Sequence, residues 1–460
     1  MPAATEEPVL QSSKILDLPH DVLLDIIAHL SGADIVRLFS TSRILQAVTE
    51  EESIWRHLCA RYGLHDVIHF GGHSFYRVYT GLLHTYGPIM GLWASDAPYT
   101  GIILQFRLDR GSETRQGGIV GEMWKFRALE PEEPESPEVP EFPTFIRVLR
   151  IGFDAQTALP FATVQRSPLL RSSAQVFCCS GWSADQIGVE RSDMGTIAVV
   201  LGTRQGVFLH TRVGQFPHPD FPSSNADIWR DGHHRFPRIP PIPQQDLDQT
   251  ATIAQIPRPR VPIIFTVPTD EVKPAAITVD CPYRCISANW PFLGFTNLIP
   301  FAPRFYPLRD ERKKGIHPCS ELWIPQSLTG LWFGTYGPHG TECVYVHWDD
   351  IERSLSAWKI TGDENVPRGA LTWTFAMGRP YRVPALQREV CVQSFGDLEK
   401  CRVYSGTGTI SARGYMPYQQ VPCFLLLGIV GPDELRIFWM ESEDEELSTY
   451  VRYKGSGSPE

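Results

Sequence analysis

The sequence lacks the long hydrophobic run of a membrane protein and the positive charge excess of a general nucleic-acid binder. No stretch of about 18 apolar residues occurs, so we expect no membrane span. Lys and Arg number 42 against 52 Asp and Glu, a formal net charge of −10, whereas binding to phosphate backbones requires a basic surface. The opening residues MPAATEEPVLQSSK contain no apolar signal segment, so we expect no secretion.

The usual sequence marks of catalysis are also missing. There is no phosphate-binding loop, no dinucleotide-binding glycine fingerprint and no Gly-x-Ser-x-Gly elbow, which favours a protein that is not an enzyme. The 10 cysteines are scattered along the chain, and without a signal segment they indicate reduced thiols in a cytoplasmic or nuclear protein. One loose cluster, with wider spacing than the usual paired zinc ligands, leaves zinc as an alternative to no cofactor: Cys281, Cys285, His317 and Cys319.

Glycine, proline and aromatic residues, by contrast, are plentiful. The 460 residues include 37 Gly, 39 Pro, 12 Trp, 15 Tyr and 24 Phe. This composition favours strands and turns over helical bundles, and the length allows two or three domains.

The first informative segment, 15–64, predicts three short helices. Pro19 stands where a helix can start without losing a hydrogen bond, and apolar residues follow at helical spacing until Gly32, which we expect to end that helix. A second helix is expected to begin near Asp34, and a third to run over about 52–62. Three helices in so few residues have little core, so the module requires a partner surface.

This segment resembles an F-box. The matching residues are Leu18, Pro19, Asp21, Leu30, Leu38 and Trp55. The stretch STSRILQAV departs from the family, which often has Cys-Arg-x-Trp there. The resemblance implies docking on the Skp1 adaptor of a cullin-RING ubiquitin ligase, with these implied contacts: Leu18, Pro19, Leu23, Ile26, Leu30, Leu38 and Trp55. An unrelated helical cap on the next domain is the alternative.

Two stretches share an unusual pattern, named here the GLW signatures: GLWASDAPYTG at 91–101 and GLWFGTYGPHG at 330–340. Each reads Gly-Leu-Trp, seven residues, Gly and then a strand-like run. We expect Trp93 and Trp332 to plug a core, while Tyr336 and His339 offer polar tips in a glycine-rich loop. Whether the signatures mark equivalent strands of one barrel or the starts of two sheets is open from the sequence.

Short alternating runs separated by turns fill much of the rest, from IILQFRL to STYVRY, with a hairpin predicted at 196–213. No βαβ rhythm is visible, so we expect an antiparallel barrel or sandwich. Two proline-rich tracts, 129–143 and 217–274, read as loops without packing content. The predicted fold is α+β: a three-helix module, then a mainly antiparallel β-barrel with proline-rich insertions.

The predicted domain boundaries follow from these patterns. Residues 13–64 form the F-box, 65–129 a linker helix and the first barrel strands, 130–325 barrel strands with insertions, and 326–455 the C-terminal, substrate-binding barrel strands.

The later motifs resemble the F-box only protein 31 family, whose members recruit proteins for ubiquitination. They are YGPIMGLWASDAPYTGIILQF, GLWFGTYGPHG, KITGDENVPRG, YSGTGTISARGY and ELRIFWME. The resemblance implies a non-catalytic receptor that captures protein tails, including those of D-type cyclins and tails ending in an abnormal amide. The pocket residues predicted on this basis are Tyr336, His339, Asp363, Asn365 and Tyr404.

Two rival functions and one rival role stay open. A lipocalin-like barrel for small ligands is one alternative function, and a barrel enzyme with titratable residues converging inside is the other. For Asp363, the alternative role is a turn residue that caps backbone N–H groups.

Overall fold

The computed structural model describes the chain in separate stretches, which carry a helical module, a seven-stranded sheet and a closed barrel. The described residues are 15, 18–30, 32–41, 43, 46, 51–95, 101–126, 139–153, 175–178, 277–278, 304–308, 315–363, 365–412, 417–440 and 446–455. The hairpin predicted at 196–213, the tract at 217–274, and Cys281 and Cys285 lie outside them. No helix of the described part is long and apolar enough to cross a membrane.

Three short helices form the N-terminal module. They are α1 (His20–Ala28), α2 (Gly32–Ser40) and α3 (Glu52–Ala60). Pro19 immediately precedes α1, as predicted. The apolar face of α1 divides in two, because Leu23 and Ile27 are buried while Val22 and Ile26 stay 41% and 37% exposed.

Gly32 has a different role from the one predicted. It begins α2 instead of ending α1, which ends at Ala28. A Cβ at Gly32 would lie 2.5 Å from the Tyr79 ring. The glycine therefore allows the start of α2 to lie close to the helical segment that contains Tyr79. The sequence shows that a glycine interrupts the helical pattern, but the partner that requires it comes from a later segment.

A continuous helical run links the module to the first strand. It consists of α4 (Phe75–Val78), a π-helical segment (Tyr79–Leu83), α5 (His84–Tyr86) and a 3-10 turn (Gly87–Ile89). Its buried residues join one hydrophobic core with the module and the first sheet. Trp55 of α3 packs in this core with its ring centroid 5.8 Å from that of Tyr79.

The first sheet is antiparallel and has the order β5-β4-β3-β2-β1-β7-β6. Its strands are β1 (Gly91–Ser95), β2 (Ile103–Asp109), β3 (Gly118–Lys125), β4 (Thr144–Gly152), β5 (Gln175–Cys178), β6 (Ile277–Thr278) and β7 (Arg304–Pro307). On β2, Leu104 and Phe106 face the core shared with the helices, whereas Arg107 forms an ion pair with Glu122 on the other face. This is the alternation that the sequence predicts.

The second sheet closes into an eight-stranded barrel with the order β10-β11-β12-β13-β14-β15-β8-β9. Its strands are β8 (Gly330–Thr335), β9 (Thr341–Asp349), β10 (Ser354–Lys359), β11 (Leu371–Ala376), β12 (Arg402–Ser411), β13 (Gln420–Ile429), β14 (Glu434–Trp439) and β15 (Leu447–Arg452). Helix α6 (Arg388–Phe395) packs outside, where Phe395 contacts a small cluster of its own.

Each GLW signature starts a different sheet. A 3-10 turn precedes each, and each strand begins at a glycine with positive φ. Trp93 donates its indole N–H to the Ile89 carbonyl at 2.6 Å, and Trp332 donates to the Leu328 carbonyl at 2.9 Å. Both indoles are fully buried. The two GLW signatures therefore mark the starts of two different sheets and not equivalent strands of one barrel.

The described strands within 65–129 and within 130–325, both predicted to contribute barrel strands, belong instead to the seven-stranded sheet. The barrel uses only strands from 330–452. The prediction was wrong here because alternation identifies a strand and its buried face but not the strand with which it pairs. The domain boundaries themselves stay a prediction.

An apolar layer joins the two sheets. Leu92 and Ile103 of the first sheet share a cluster with Leu331 and Tyr345 of the barrel. The end of the acidic proline-rich tract takes part as well, because Phe142 lies 5.5 Å from Phe333, between ring centroids. The Glu141 N–H also donates to Thr341 Oγ1 at 2.9 Å. The expectation of a tract without packing content is wrong for these residues, since an aromatic next to a proline can dock on a distant strand.

Arg452 lies where β15 pairs with β8, a junction called here the seam. Its guanidinium donates to the carbonyls of Ser327 and Thr329, pairs with Asp433 at 3.0 Å and lies 4.4 Å from the Trp332 ring. The side chain is only 4% exposed. Burial lowers the pKa of Arg452, and Asp433 opposes that shift.

We therefore expect Arg452→Met to lower the free energy of unfolding by about 3 kcal/mol, because it leaves the carbonyls of Ser327 and Thr329 without their donor and Asp433 with only the exposed Lys454 as a partner. Urea denaturation followed by tryptophan fluorescence measures this. Arg436→Met is the control, since Arg436 also pairs with a carboxylate but its side chain is 34% exposed. Equal losses in both variants would contradict the role of the seam.

Candidate functional site

The candidate site lies at one end of the barrel. The loop 336–340 joins β8 to β9, and the loop 360–370 joins β10 to β11 at the same end because neighbouring strands alternate in direction. Four of the five predicted pocket residues, Tyr336, His339, Asp363 and Asn365, come from these two loops.

The outer layer of the site is a stacked aromatic pair. The rings of Tyr336 and His339 stack with centroids 4.9 Å apart and planes at 29°. His339 is exposed, and its Nε2 lies 3.3 Å from the side-chain amide nitrogen of Asn365. The exposed His339 ring therefore covers the half-buried Tyr336 and presents its polar edge to solvent at the barrel end.

Asp363 performs two roles at once. One carboxylate oxygen accepts the backbone N–H groups of Asn365 at 2.6 Å and Val366 at 2.9 Å, which is the turn role considered from the sequence. The other oxygen lies 3.6 Å from Lys359 Nζ. The turn thus holds a carboxylate, 13% exposed, toward a buried cation.

Beneath this layer lies a buried ionic cluster. Lys359 Nζ lies 3.0 Å from a Glu342 oxygen, and both side chains are almost completely buried. The Tyr450 hydroxyl donates to the other Glu342 oxygen at 2.6 Å, and the Trp373 indole N–H donates to that hydroxyl at 3.3 Å. Lys359 Nζ also lies 3.3 Å from the centroid of the Tyr336 ring, a cation–π contact.

This arrangement keeps a permanent charge inside the barrel. Burial alone would lower the pKa of Lys359, but Glu342, Tyr336 and Asp363 outweigh it, so the pKa is raised and the ammonium stays charged. Burial raises the pKa of Tyr336 to about 12, which keeps its hydroxyl protonated. Glu342, Asp363 and Lys359 together carry a formal charge of −1, a sum that leaves out Glu446 next to Gly337 and the buried Arg368 of the loop 360–370.

Sequence reasoning missed Glu342, Lys359 and Tyr450. On β9, Glu342 has the same parity as Val344 and Val346, which face the barrel interior, and Lys359 has the parity of Leu355 and Ala357 on β10. A charged residue at an inward position of an apolar strand was therefore the available signal.

Tyr404 does not join the other four pocket residues. It lies near the start of β12, paired with Leu427, at the barrel end opposite the loop 336–340. Burial raises its pKa, with Arg402 opposing the shift. Tyr404 lies within the barrel core, so the structure does not support its grouping with the loop residues. The family resemblance identified the motif that contains Tyr404, but it did not indicate at which end of the barrel the start of β12 lies.

The residues predicted to contact the adaptor divide by burial. Leu18 and Pro19 are exposed beside the free face of α1, and Ile26 lies on that face. Leu30 and Leu38 are half-buried. Leu23 at 6% exposure and Trp55 at 1% belong to the core, so they support the module without presenting a surface. Val22 and Val36 are exposed apolar residues of α1 and α2, and the sequence reasoning did not select them.

Two of the candidate zinc ligands can be placed. The Cys319 N–H donates to His317 Nδ1 at 3.2 Å, and the thiol donates to the Lys400 carbonyl at 3.1 Å. Among the described residues, no group of three or more His, Cys, Asp or Glu side chains is arranged to hold a metal ion.

Two regions of the chain match models of known protein families. Residues 15–61 match the F-box-like family model, and residues 316–454 match the model of the Cyclin D1 binding domain. The second match begins just before the barrel and ends just after it.

Individual relatives match shorter stretches. Human F-box only protein 31 is 34% identical over 94 residues, which cover 19% of this chain and 17% of that protein. F-box only protein 31-B of Xenopus laevis is 31% identical over 99 residues, 20% of this chain and 19% of the relative. Protein EXECUTER 2, chloroplastic, of Arabidopsis thaliana is 41% identical over 130 residues, 23% of this chain and 19% of the relative.

These matches confirm the resemblance to F-box only protein 31 and the presence of an F-box-like region. The aligned stretches span about a fifth of the length of the curated relatives.

Proposed function

We propose that this protein is the substrate receptor of a Skp1–cullin–F-box ubiquitin ligase, acting in the cytoplasm or nucleus. The F-box-like match and the homology to F-box only protein 31 support this role. The receptor is non-catalytic: it holds a target while the RING and ubiquitin-conjugating partners of the ligase transfer ubiquitin, so its contribution is proximity.

The adaptor-binding surface is the exposed stripe of the module. Leu18, Val22 and Ile26 recur every fourth residue and are 37–41% exposed, so they present one apolar face beside Pro19. The apolar residues on the other side of α1 pack in the module's own core. Helix α1 is thus apolar on two sides, and one of these sides is left exposed. An exposed apolar side of a small module is typical of a surface that binds a partner protein.

The barrel end captures the chain end of a target protein. The single observation that supports this is the buried Lys359–Glu342–Asp363 cluster beneath the Tyr336–His339 stack, at one mouth of the barrel. The partly exposed Asp363 carboxylate and the exposed His339 imidazole offer hydrogen bonds to a small terminal group.

The charge of the cluster favours a neutral terminal group. A terminal carboxylate would meet a formal charge of −1, whereas a terminal amide carries no charge and can donate N–H groups to the Asp363 carboxylate. The family resemblance includes recognition of tails that end in an amide, and the electrostatics of this chain point to the same preference.

The enzyme alternative predicts titratable groups that converge inside the barrel, and Lys359, Glu342 and Tyr450 do converge. Their state does not suit catalysis, however. A catalytic lysine requires a pKa lowered toward neutrality, while the pKa of Lys359 is raised. The buried Lys359 is also held between Glu342 and Asp363, and this pairing supports a binding site more than a reaction site.

The test uses one peptide in two forms. We expect a labelled ten-residue peptide with a C-terminal amide to bind the purified complex with Skp1 at least about tenfold more tightly than its free-acid form, since about 1.4 kcal/mol separates each tenfold step. Fluorescence polarisation at 50 and 300 mM salt measures the difference, which should narrow at higher salt. Equal binding of both forms, or tighter binding of the acid, would contradict the proposed reading of the chain end.

A further inference from the structure

The β12–β13 hairpin extends beyond its neighbours at the same barrel mouth. β11 pairs with β12 only as far as Gly408, yet β12 continues to Ser411. β14 pairs with β13 from Leu425 onward, yet β13 begins at Gln420. Phe424 still accepts the Met440 N–H. Beyond it, among the residues that the structure describes, 409–411 of β12 pair with 420–422 of β13, so a two-stranded ribbon projects above the rim.

The ribbon continues the inner face of the barrel. Gly408 faces inward, because a Cβ there would meet Leu425 and Trp439 of the barrel core. Ile410 lies two residues further along the same strand and therefore on the same face. Val421 precedes the inward-facing Cys423 by two residues, and Ile410 and Val421 are direct cross-strand partners.

These two side chains are apolar and uncovered. Ile410 is 40% exposed and Val421 is 56% exposed, although the residues below them on the same face are buried. Tyr418, at the turn of the ribbon, is 73% exposed. An inward-facing apolar pair at a rim that remains about half exposed is a place where another molecule can be buried.

The ribbon stands across the mouth from the polar loop. In the closed order of the strands, β12 lies four places from β8 in either direction, and β13 lies four places from β9. The hairpin that carries Tyr336 and His339 therefore faces the hairpin that carries Ile410 and Val421. One wall of the mouth is polar and lies above the ionic cluster, and the other wall is apolar.

We infer that the Ile410–Val421 wall selects targets with a large apolar side chain at the second-last or third-last position of the chain. This inference rests on the proposed function, and it specifies the class of target. A tail whose last group reaches the Asp363 region runs outward as an extended chain at about 3.3 Å per residue. Its third-last residue then lies about 7 Å further out, at the level of Ile410, which stands two residues beyond Gly408 on β12.

The test measures binding of labelled ten-residue amidated peptides to the full chain in complex with Skp1. All residues are polar except one leucine, placed at the second-last, third-last or sixth-last position, and one peptide has serine throughout. We expect leucine at the second-last or third-last position to improve the dissociation constant about tenfold over serine, as burial of most of a leucine side chain provides. Leucine at the sixth-last position should change it less than twofold.

The matching variant is Ile410→Ser with Val421→Ser, which replaces exposed residues and should leave the melting temperature within about 2 °C. We expect it to abolish the leucine advantage while it binds the all-serine peptide as the wild type does. The control is Ile351→Ser with Leu386→Ser, exposed at 90% and 96% away from this mouth, which should retain the full advantage.

The outcomes separate the two ideas. If the wild type prefers amide to acid but binds leucine and serine peptides equally, the apolar wall is not a recognition surface and the proposed function stands. A leucine advantage that survives in Ile410→Ser/Val421→Ser overturns the inference as well. If no peptide binds in either terminal form, both the inference and the chain-end reading fail.

Discussion

Val22→Asp combined with Ile26→Asp is expected to weaken binding of Skp1 on the order of a thousandfold. Both residues lie on the exposed stripe of α1, and central apolar contacts in an interface typically cost about 2 kcal/mol or more each when lost. Two such losses correspond to roughly three factors of ten, and a carboxylate forced into an apolar contact adds a desolvation cost. Co-purification and biolayer interferometry with purified Skp1 measure the change.

A matched control separates docking from general damage. Ile351→Asp with Leu386→Asp places the same two charges on exposed aliphatic positions outside the module, and this variant should bind Skp1 normally. The variant Leu18→Ala with Pro19→Ala should also reduce binding, because these residues lie beside the same stripe. Undiminished co-purification of the α1 variant would show that the adaptor docks elsewhere, or that the module is only a helical cap.

The second large effect is expected at Asp363. Asp363→Ala should reduce binding of the amidated peptide by 10- to 100-fold, since it removes a charged hydrogen-bond acceptor worth about 1.5–3 kcal/mol. Asp363→Asn retains an oxygen for the backbone N–H groups of Asn365 and Val366 and removes only the charge. We expect this variant to narrow the gap between amide and acid peptides, because the formal charge of the cluster rises from −1 to zero.

Asp349 provides the control for the turn itself. Its carboxylate accepts the backbone N–H groups of Ile351 at 2.8 Å and Glu352 at 3.0 Å, the same spacing as in the Asp363 turn, but at the other end of the barrel. Asp349→Ala should lower the melting temperature less than Asp363→Ala does, because only Asp363 also faces the buried Lys359 ammonium, and it should leave peptide binding unchanged. If both variants lose binding equally, the effect of Asp363 is structural, and the pocket assignment is wrong.

The sequence alone identified the parts of this molecule that depend on local patterning. Short strand-like runs located β2 and β4 of the first sheet and β9 to β15 of the barrel, but not β3, β5, β6 or β7. The spacing of apolar residues located α1 to α3 within a few residues. These features could be predicted because each depends on residues close together in the chain. Motif resemblance also selected Tyr336, His339, Asp363 and Asn365, which come from two loops and do meet.

Only the tertiary structure decided which distant residues share a surface. Strand pairing separated the first GLW signature from the barrel, and strand direction moved Tyr404 to the opposite end. Barrel closure brought Glu342, Lys359 and Tyr450, from β9, β10 and β15, into one buried cluster. The physical reason is that pairing and closure depend on long-range complementarity, which period-two alternation leaves undetermined: it tells which face a residue occupies, and the closed sheet determines what that face encloses.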